Sequence, residues 1–356
     1  MREINHITEN VSFESGGVRT VLLLLHEYLL KNNINSKIIT NKKEVIDEFI
    51  EFKTDKIWCY SSQIKSFLNT LNENNSFHLH GVYTYSQFIA SEIAIEKKLP
   101  YIVSPHGMLE PWILEKNPIK KRVYLKLILN KILNNAKVLH CITPLEKDSL
   151  FQLTNHKNIV EIPNLINLNN IPTNLKHEPN EDYFIFIGRI DPKKGIDLLI
   201  NVFNSIKKNK VKLKILGSEN EYCIQLKLLV KKLNLENKVE FLGGVFGEEK
   251  YHLIANARAL IAPSYSEAIG MVNLEAAACK TPVITTYQTG LKKEWSDNGG
   301  ILINPNIEEL TKAVNESLNW GVRERNERGV SLYNFVDNNY SWGKKGMLWK
   351  ELYNNI

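Results

Sequence analysis

The chain has 356 residues, 43% of them hydrophobic and 24% charged, with four cysteines and a formal net charge of +6. That length leaves room for two domains of roughly 100–200 residues each, and the balance excludes a disordered, fibrous or disulfide-stapled protein. The modest positive charge suits an anionic small molecule or an anionic membrane surface, and nothing in the pattern points to nucleic acid.

The first residues, Met1 to Ile7, lack the apolar core of a secretory signal. The longest greasy stretch, Val21 to Leu30, is broken by His26 and Glu27 and falls short of the about 20 apolar residues that span a bilayer. Cys59, Cys141, Cys223 and Cys279 form no CxxC pair, so neither a zinc site nor a disulfide framework is expected. The expected location is the cytoplasm, at most peripheral to the inner face of its membrane.

In chain order, residues 2–8 read as a strand, a loop ends in Gly16-Gly17, and a helix runs from Val18 to about Lys31. A strand, a glycine loop and a helix form the arrangement that admits a phosphate or sugar close to backbone. Further strands are expected at Ser36–Thr40, Lys56–Tyr60, Phe77–His80, Tyr101–Ser104 and Val138–Thr143, with helical patterns between them. Strands alternating with helices argue for a parallel α/β sheet, whose ligands bind beyond the carboxyl ends of the strands. His80-Gly81 and His106-Gly107 stand at two such ends, and Thr143 caps a helix at a third. Between them, residues 116–137 carry seven Lys/Arg and no acidic residue. Those charges do not gather on one helical face, so a solvated helix and a surface for a membrane-borne acceptor both stay open.

Ile162 to Glu178, rich in Asn and Pro, reads as a linker. A second α/β series follows, with strands at Asp182–Ile187, Lys210–Leu216, Val239–Leu242, Arg258–Ala262, Pro282–Thr285 and Ile301–Ile303. Helices are expected over Ile196–Lys207, Glu221–Leu233 and Glu248–Asn256, from about Ile307, at Tyr333–Phe335 and over Trp342–Tyr353. The expected organisation is residues 1–170 as an acceptor-binding Rossmann-like domain and 171–335 as a nucleotide-sugar-binding one. Residues 336–356 then form a helix returning to the first domain, and a cleft lies between the domains.

The chemistry concentrates in two loops of the second half. Gly188-Arg189-Ile-Asp-Pro-Lys193-Lys194-Gly195 places a basic residue near each end of a loop between a strand and a helix. Arg supplies a forked donor for phosphate and Lys a compact cation. Pro263-Ser-Tyr-Ser-Glu267-Ala268-Ile269-Gly270-Met271-Val272-Asn-Leu-Glu275 leads from a buried strand into a helix. Its helix start attracts phosphate, and its two carboxylates accept hydrogen bonds from sugar hydroxyls. No Asp-x-Asp pair is present for Mg²⁺ or Mn²⁺, so neither metal nor cofactor is expected.

Gly-Arg-x4-Lys-Gly followed by Glu-x7-Glu with Gly270-Met-Val between the acids resembles the retaining glycosyltransferases of family four, with the GT-B fold of two Rossmann-like domains. The likeness extends to Gly16-Gly17, His80, Ser104-Pro-His-Gly-Met-Leu-Glu-Pro-Trp112, Gly290 and Asn298-Gly-Gly-Ile-Leu-Ile-Asn-Pro305. It implies that Arg189 and Lys194 neutralise a donor diphosphate and that Glu267 holds the donor sugar. Ala268, Ile269, Gly270, Met271 and Val272 would line sugar and phosphate, with backbone N–H groups from the last three, and Glu275 would hold the ribose. Gly16 and Gly17 would lie against the diphosphate, Gly243 and Gly244 beneath the base, His80 at the reacting carbon, and His106 and Gly107 on the acceptor side. Ile269 stands where the family pattern usually has Phe. The implied reaction transfers a sugar from a nucleotide sugar to a glycan or lipid-linked oligosaccharide, as in capsule, O-antigen or lipopolysaccharide synthesis. A sugar-nucleotide epimerase or phosphorylase of the same fold, and a non-catalytic sugar-binding subunit, are the alternatives.

Overall fold

A computed structural model describes residues 2–12, 16–43, 49–55, 58–111, 123–175, 181–206 and 211–356. The chain divides into two compact units, 1–165 with 346–356, and 166–345. The α/β class read from the alternating pattern is the one adopted, with two sheets whose named strands all pair in parallel.

The first unit holds β1 (Glu3–Thr8), β2 (Ser36–Thr40), β3 (Ile50–Glu51), β4 (Asn75–His80), β5 (Tyr101–Ser104), β6 (Val138–Cys141) and β7 (Ile159–Glu161). Their spatial order is β3-β2-β1-β4-β5-β6-β7, so the order reverses between β1 and β4. The expected strand over Lys56–Tyr60 is not there. Trp58 and Cys59 form a turn, both at positive φ, while 56 and 57 lie outside the described residues. The edge pairing with β2 is made instead by the two residues of β3, too short a run to show period-2 alternation.

Parallel sheets covered on both faces ordinarily read as continuous apolar runs. The centre of this one does not. On β4, Phe77 and Leu79 point to a core with Ile89, Ile93 and Val103, and the alternating His78 and His80 point the other way. Register pairs His6 with His78 and Thr8 with His80 on one side, and His80 with Ser104 on the other. One face of the sheet is therefore lined with buried imidazoles. Trp349 and Tyr353 of the helix Met347–Asn354 pack against it, with Trp349 4.5 Å from His140 and 5.7 Å from His78 between ring centroids.

The second unit holds β8 (Tyr183–Ile187), β9 (Lys212–Leu216), β10 (Val239–Gly243), β11 (Leu260–Ala262), β12 (Val283–Thr286) and β13 (Ile301–Ile303), in the order β10-β9-β8-β11-β12-β13. Here the reversal falls between β8 and β11. Phe184, Phe186, Ile196, Leu199, Ile200, Phe203, Leu213 and Ile215 form the core against the helix Ile196–Ser205. The helical signal at Tyr333–Phe335 belongs to a longer helix, Val322–Tyr340, whose charged, weakly periodic first turns hid its start. Residues 336–345 thus stay with the second unit, and the return to the first begins at Gly346.

Gly329, within that helix, faces the turn after helix Met271–Ala278. A Cβ there would lie 1.9 Å from the Lys280 carbonyl oxygen. Alanine is worth about 1 kcal/mol over glycine in an open helix, but overpacking costs about 1–3 kcal/mol. Gly329→Ala is expected to lower the melting temperature, against the direction of helix propensity. Calorimetric melting of the two proteins checks the sign.

Candidate functional site

In an open α/β sheet, ligands gather where the strand order reverses, because the loops on either side of that point diverge and leave a crevice. In the second unit the loops so placed are those after β8 and β11, the two that carry Arg189, Lys194, Glu267 and Gly270.

The first loop is shaped by local chemistry. The Asp191 side chain accepts from Lys193 N at 2.9 Å, capping a single 3-10 turn, Pro192–Lys194, with proline at its first position. Gly195 ends the turn at φ 66°, and a Cβ there would lie 2.3 Å from the Pro263 carbonyl oxygen. The backbone of the first loop therefore touches that of the second. Tyr265 N donates to Lys193 O at 2.7 Å, a second tie between them.

The second loop is held from below. Thr285 and Thr286 donate hydroxyl protons to Ala262 O and Ser264 O at 3.0 and 2.7 Å, and Ile269 N donates to Thr289 O at 2.8 Å. Ile269 is buried at φ 64°, a region a β-branched residue rarely enters. Gly270 N donates to Ala268 O at 2.8 Å across it, forming a tight three-residue turn of the rarer hand. Buried Asn273 braces the turn, its amide donating to Ile269 O at 2.7 Å. Strain of this kind persists only where the surroundings over-determine it, and it concentrates at binding sites. The expectation that Gly270 lends its N–H to a ligand is corrected by this turn, since Ala268 already takes it. The helix start instead leaves Met271 and Val272, at its first two positions, with N–H groups that no helical carbonyl can reach.

Holding the loops together brings Lys194 Nζ into direct contact with a Glu267 carboxylate oxygen. Burial, then the neighbouring Lys193 and Arg189, pushes the Lys194 ammonium down to about 7, with Asp191 pulling weakly the other way. The Glu267 carboxylate is the anion this ammonium touches. Arg189 is exposed beside them. Glu275, one turn along the helix, is paired with Lys250 of helix Gly247–Asn256 at 2.8 Å. The sequence pattern singled out neither ion pair, and Lys250 escaped notice altogether. A lysine in a Lys/Glu-rich helix carries no local mark of its partner.

Gly243 ends β10 at positive φ, beyond β9 on the same edge of the sheet, and its carbonyl accepts from Gly217 N at 2.8 Å. This edge can hold an anion against Lys194, Arg189 and the helix start while offering carboxylates to neighbouring hydroxyls.

In the first unit the reversal between β1 and β4 places two loops together. One leads through Gly16, at φ 65°, into helix Gly17–Lys31, and the other follows His80. His80 is buried with both ring nitrogens committed, 2.9 Å from His6 Nδ1 and 2.9 Å from His106 Nε2. This corrects the expectation that the His80 side chain is free to meet a substrate. His106, half-buried at φ 56°, is the more open member. Its loop is pinned by Glu146, which sequence reading missed. The two carboxylate oxygens accept from Gly107 N at 2.6 Å and Ile142 N at 2.8 Å. Burial first, and Glu110 in addition, raises that carboxyl to about 7 against the pull of those two N–H bonds.

Behind them runs a second hydrogen-bonded row. His140 Nε2 donates to Ile162 O at 2.8 Å, so its Nδ1 accepts from Ser104 Oγ at 2.7 Å. Ser104 Oγ must then accept from His78 Nε2 at 2.6 Å, and His78 Nδ1 from Tyr353 OH at 2.6 Å. Each neutral imidazole has one N–H, so the carbonyl at the end fixes every proton in the row. Burial first pushes the imidazoles well below their usual range, His6 and His106 to about 3; His26 adds to this at His6, His140 at His106, and the neighbouring imidazoles at His78 and His80. His6, His78 and His80 are the group whose donor atoms approach closely enough, within 4.8 Å, to share a metal ion among the described residues. Both nitrogens of His78 and of His80 already have partners, so ligation would break those bonds. The basic segment lies partly outside the described residues, which resume at Val123.

The Lys194–Glu267 pair makes a pH test. The Lys194 ammonium, pushed down to about 7, loses its proton as pH rises through that value. From pH 6 to 8 the affinity of the unaltered chain for inorganic diphosphate is expected to fall about tenfold more than that of Lys194→Ala, for which the ligand titrates identically. Calorimetric titration at both pH values checks it.

Residues 169–329 match the family model of glycosyl transferases group 1. An uncharacterized glycosyltransferase of Methanocaldococcus jannaschii is 29% identical over 68% of this chain and 65% of its own length. The O-antigen chain mannosyltransferase of Salmonella typhimurium is 28% identical over 57% of this chain and 60% of its own. The chain thus spans less than two thirds of the length of these relatives. An uncharacterized 41.2 kDa protein in the cps region of Klebsiella pneumoniae is 26% identical over 94% of both chains. Among solved structures, HepE of Anabaena in complex with UDP and glucose superimposes with a TM-score of 0.81 at 17% identity, covering 100% of both chains. The matched residues run from before β8 to within helix Val322–Tyr340 and take in both loops of the second unit's edge. Residues 169–329 are thus similar to the glycosyl transferases group 1, and the chain has the GT-B fold.

Proposed function

We propose that the protein is a hexosyltransferase that moves a sugar from a nucleoside-diphosphate donor to a hydroxyl of a glycan or lipid-linked oligosaccharide, with retention at the anomeric carbon. The observation that carries this reading is the meeting of Lys194, Glu267 and a helix start on one edge at the strand-order reversal. A nucleotide sugar presents the matching chemistry, a diphosphate flanked on both sides by hydroxyl-bearing rings.

Loss of a nucleoside diphosphate leaves cationic character on the sugar and concentrates negative charge on the departing oxygen. Groups that stabilise that charge without reorganising give the largest rate gain. Lys194 and Arg189 supply the cations, and Met271 and Val272 the amides of the helix start. Glu267 takes donor-sugar hydroxyls, and Glu275 the ribose. Lys250 holds the Glu275 carboxylate in place meanwhile, so the ribose hydroxyls meet an acceptor that is already oriented. No enzymic nucleophile is required: the bond from C1 to the diphosphate oxygen breaks, the acceptor oxygen bonds C1 from the same face, and the leaving phosphate takes the acceptor's proton.

The UDP and UDP-glucose complexes of HepE support a nucleotide-sugar donor. The O-antigen mannosyltransferase and the cps-region protein support a surface-polysaccharide acceptor, in capsule, O-antigen or lipopolysaccharide synthesis. A lipid-linked acceptor would bring the protein to a membrane surface, and no helix of the described residues is long and apolar enough to cross one.

Turnover of UDP-, GDP- and ADP-sugars with a polyprenyl-linked oligosaccharide tests the reading, with product anomers assigned by nuclear magnetic resonance. Lys194→Ala and Glu275→Ala are each expected to lower kcat/KM by about 100-fold or more. Full activity in either variant refutes the assigned roles, and an inverted product refutes retention.

A further inference from the structure

Of the histidines on the first unit's sheet, His78 and His140 have their protons fixed by the Ile162 carbonyl. The row of His6, His80 and His106 has no such anchor, and its direction must be decided from its ends. His6 Nδ1 and His80 Nε2 are 2.9 Å apart, as are His80 Nδ1 and His106 Nε2. Each contact needs one proton between two nitrogens, and burial keeps all three rings neutral, with one N–H apiece.

Two arrangements satisfy this. In the first, His106 donates to His80 and His80 to His6, which obliges His6 to carry its proton on Nε2. That nitrogen is fully buried and has no partner among the described residues. A buried N–H left without an acceptor is rare and costs its whole desolvation penalty. In the second, His6 donates from Nδ1 and His80 from Nδ1, and His6 Nε2 is only a bare lone pair. The proton of His106 then sits on Nδ1, at the half-buried end of the row.

We propose that His6 is a positioning residue that sets, through His80, the tautomer of His106, so that His106 meets a ligand oxygen with an N–H donor and not with a basic lone pair. The lone pair of His106, on Nε2, is covered by the His80 N–H. The rings are held for this: His80 stacks on His106 at 15° with centroids 5.2 Å apart, and His78 packs against His80 at 4.0 Å. Glu146 fixes the loop through Gly107 N. His106 therefore binds and orients a sugar hydroxyl and does not remove its proton. This role rests on the transferase reading above, which sends that proton to the leaving phosphate.

The test combines spectroscopy with kinetics on the full chain. Ring-nitrogen ¹⁵N shifts report which nitrogen of each histidine carries hydrogen, with or without a substrate. The unaltered protein is expected to show Nδ1–H at His6, His80 and His106. His6→Leu removes the donor, and His80 and His106 are then expected to give averaged, mixed-tautomer shifts. Its kcat should fall by about 10- to 100-fold, as when a supporting partner is lost, with donor KM changed less than about twofold. His6→Asn, whose amide N–H stands near the Nδ1 position, should restore both. An Nε2–H tautomer at His106, or His6→Leu with unchanged shifts and kcat, overturns the proposal. So does His6→Asn failing as badly as Leu while melting like the unaltered chain. If His6→Leu does not fold, the shifts of the unaltered chain decide. If no nucleotide sugar is turned over, the transferase reading fails, and the shifts still judge the tautomers on their own.

Discussion

A lysine ammonium taken out of water must find an anion or give up its proton, and the second unit is arranged around that requirement. Lys194 is pushed down by burial and by two cationic neighbours, and Glu267 is brought to it from another loop. Neither side chain could make the contact alone. It depends on Gly195 allowing the Pro263 carbonyl to sit where a side chain would be, and on the Tyr265 N–H reaching Lys193 O. The same approach sets the helix start at Gly270 beside the cation. One backbone contact thus aligns a cation, a carboxylate and a helix dipole, the three elements a sugar diphosphate needs.

The strain at Ile269 belongs to the same construction. A β-branched residue at positive φ costs about 1–3 kcal/mol, and the turn is kept by the bonds from Ile269 N to Thr289 and from Asn273 to Ile269 O. That turn leads directly into helix Met271–Ala278, whose first two amides, those of Met271 and Val272, have no helical carbonyl to bond. Where the family pattern has an aromatic residue, Ile269 still fills a buried position.

The first unit solves a different problem. Polar side chains at the middle of a parallel sheet would be costly unless each found a partner. Here they partner one another, in two rows. One ends at a backbone carbonyl and is fixed throughout; the other ends at the loop after β5. The carboxy-terminal helix does more than cover this face, because Tyr353 OH satisfies His78 Nδ1. A segment distant in sequence thereby completes the polar core of the unit that the chain began with.

How much of this was legible beforehand follows from where each signal resides. The alternation of strands and helices, the loops at Arg189–Lys194 and Glu267–Gly270, and the strand-end histidines are local, carried by neighbouring residues, and they sufficed for the α/β class and for naming candidate residues. The missing β3, the full length of helix Val322–Tyr340 and the false strand at 56–60 mark where local patterns were too short or too weakly periodic. What no local pattern holds is partnership between distant side chains. Lys194 with Glu267, Lys250 with Glu275, Glu146 with Gly107 and His6 with His80 are each joined by the order of strands in a sheet. The sequence by itself determined which chemical groups the protein owns and which loops carry them. Only the tertiary structure decided which nitrogens and carboxylates are already engaged, because burial makes each polar atom's protonation depend on whatever atom lies within hydrogen-bond reach.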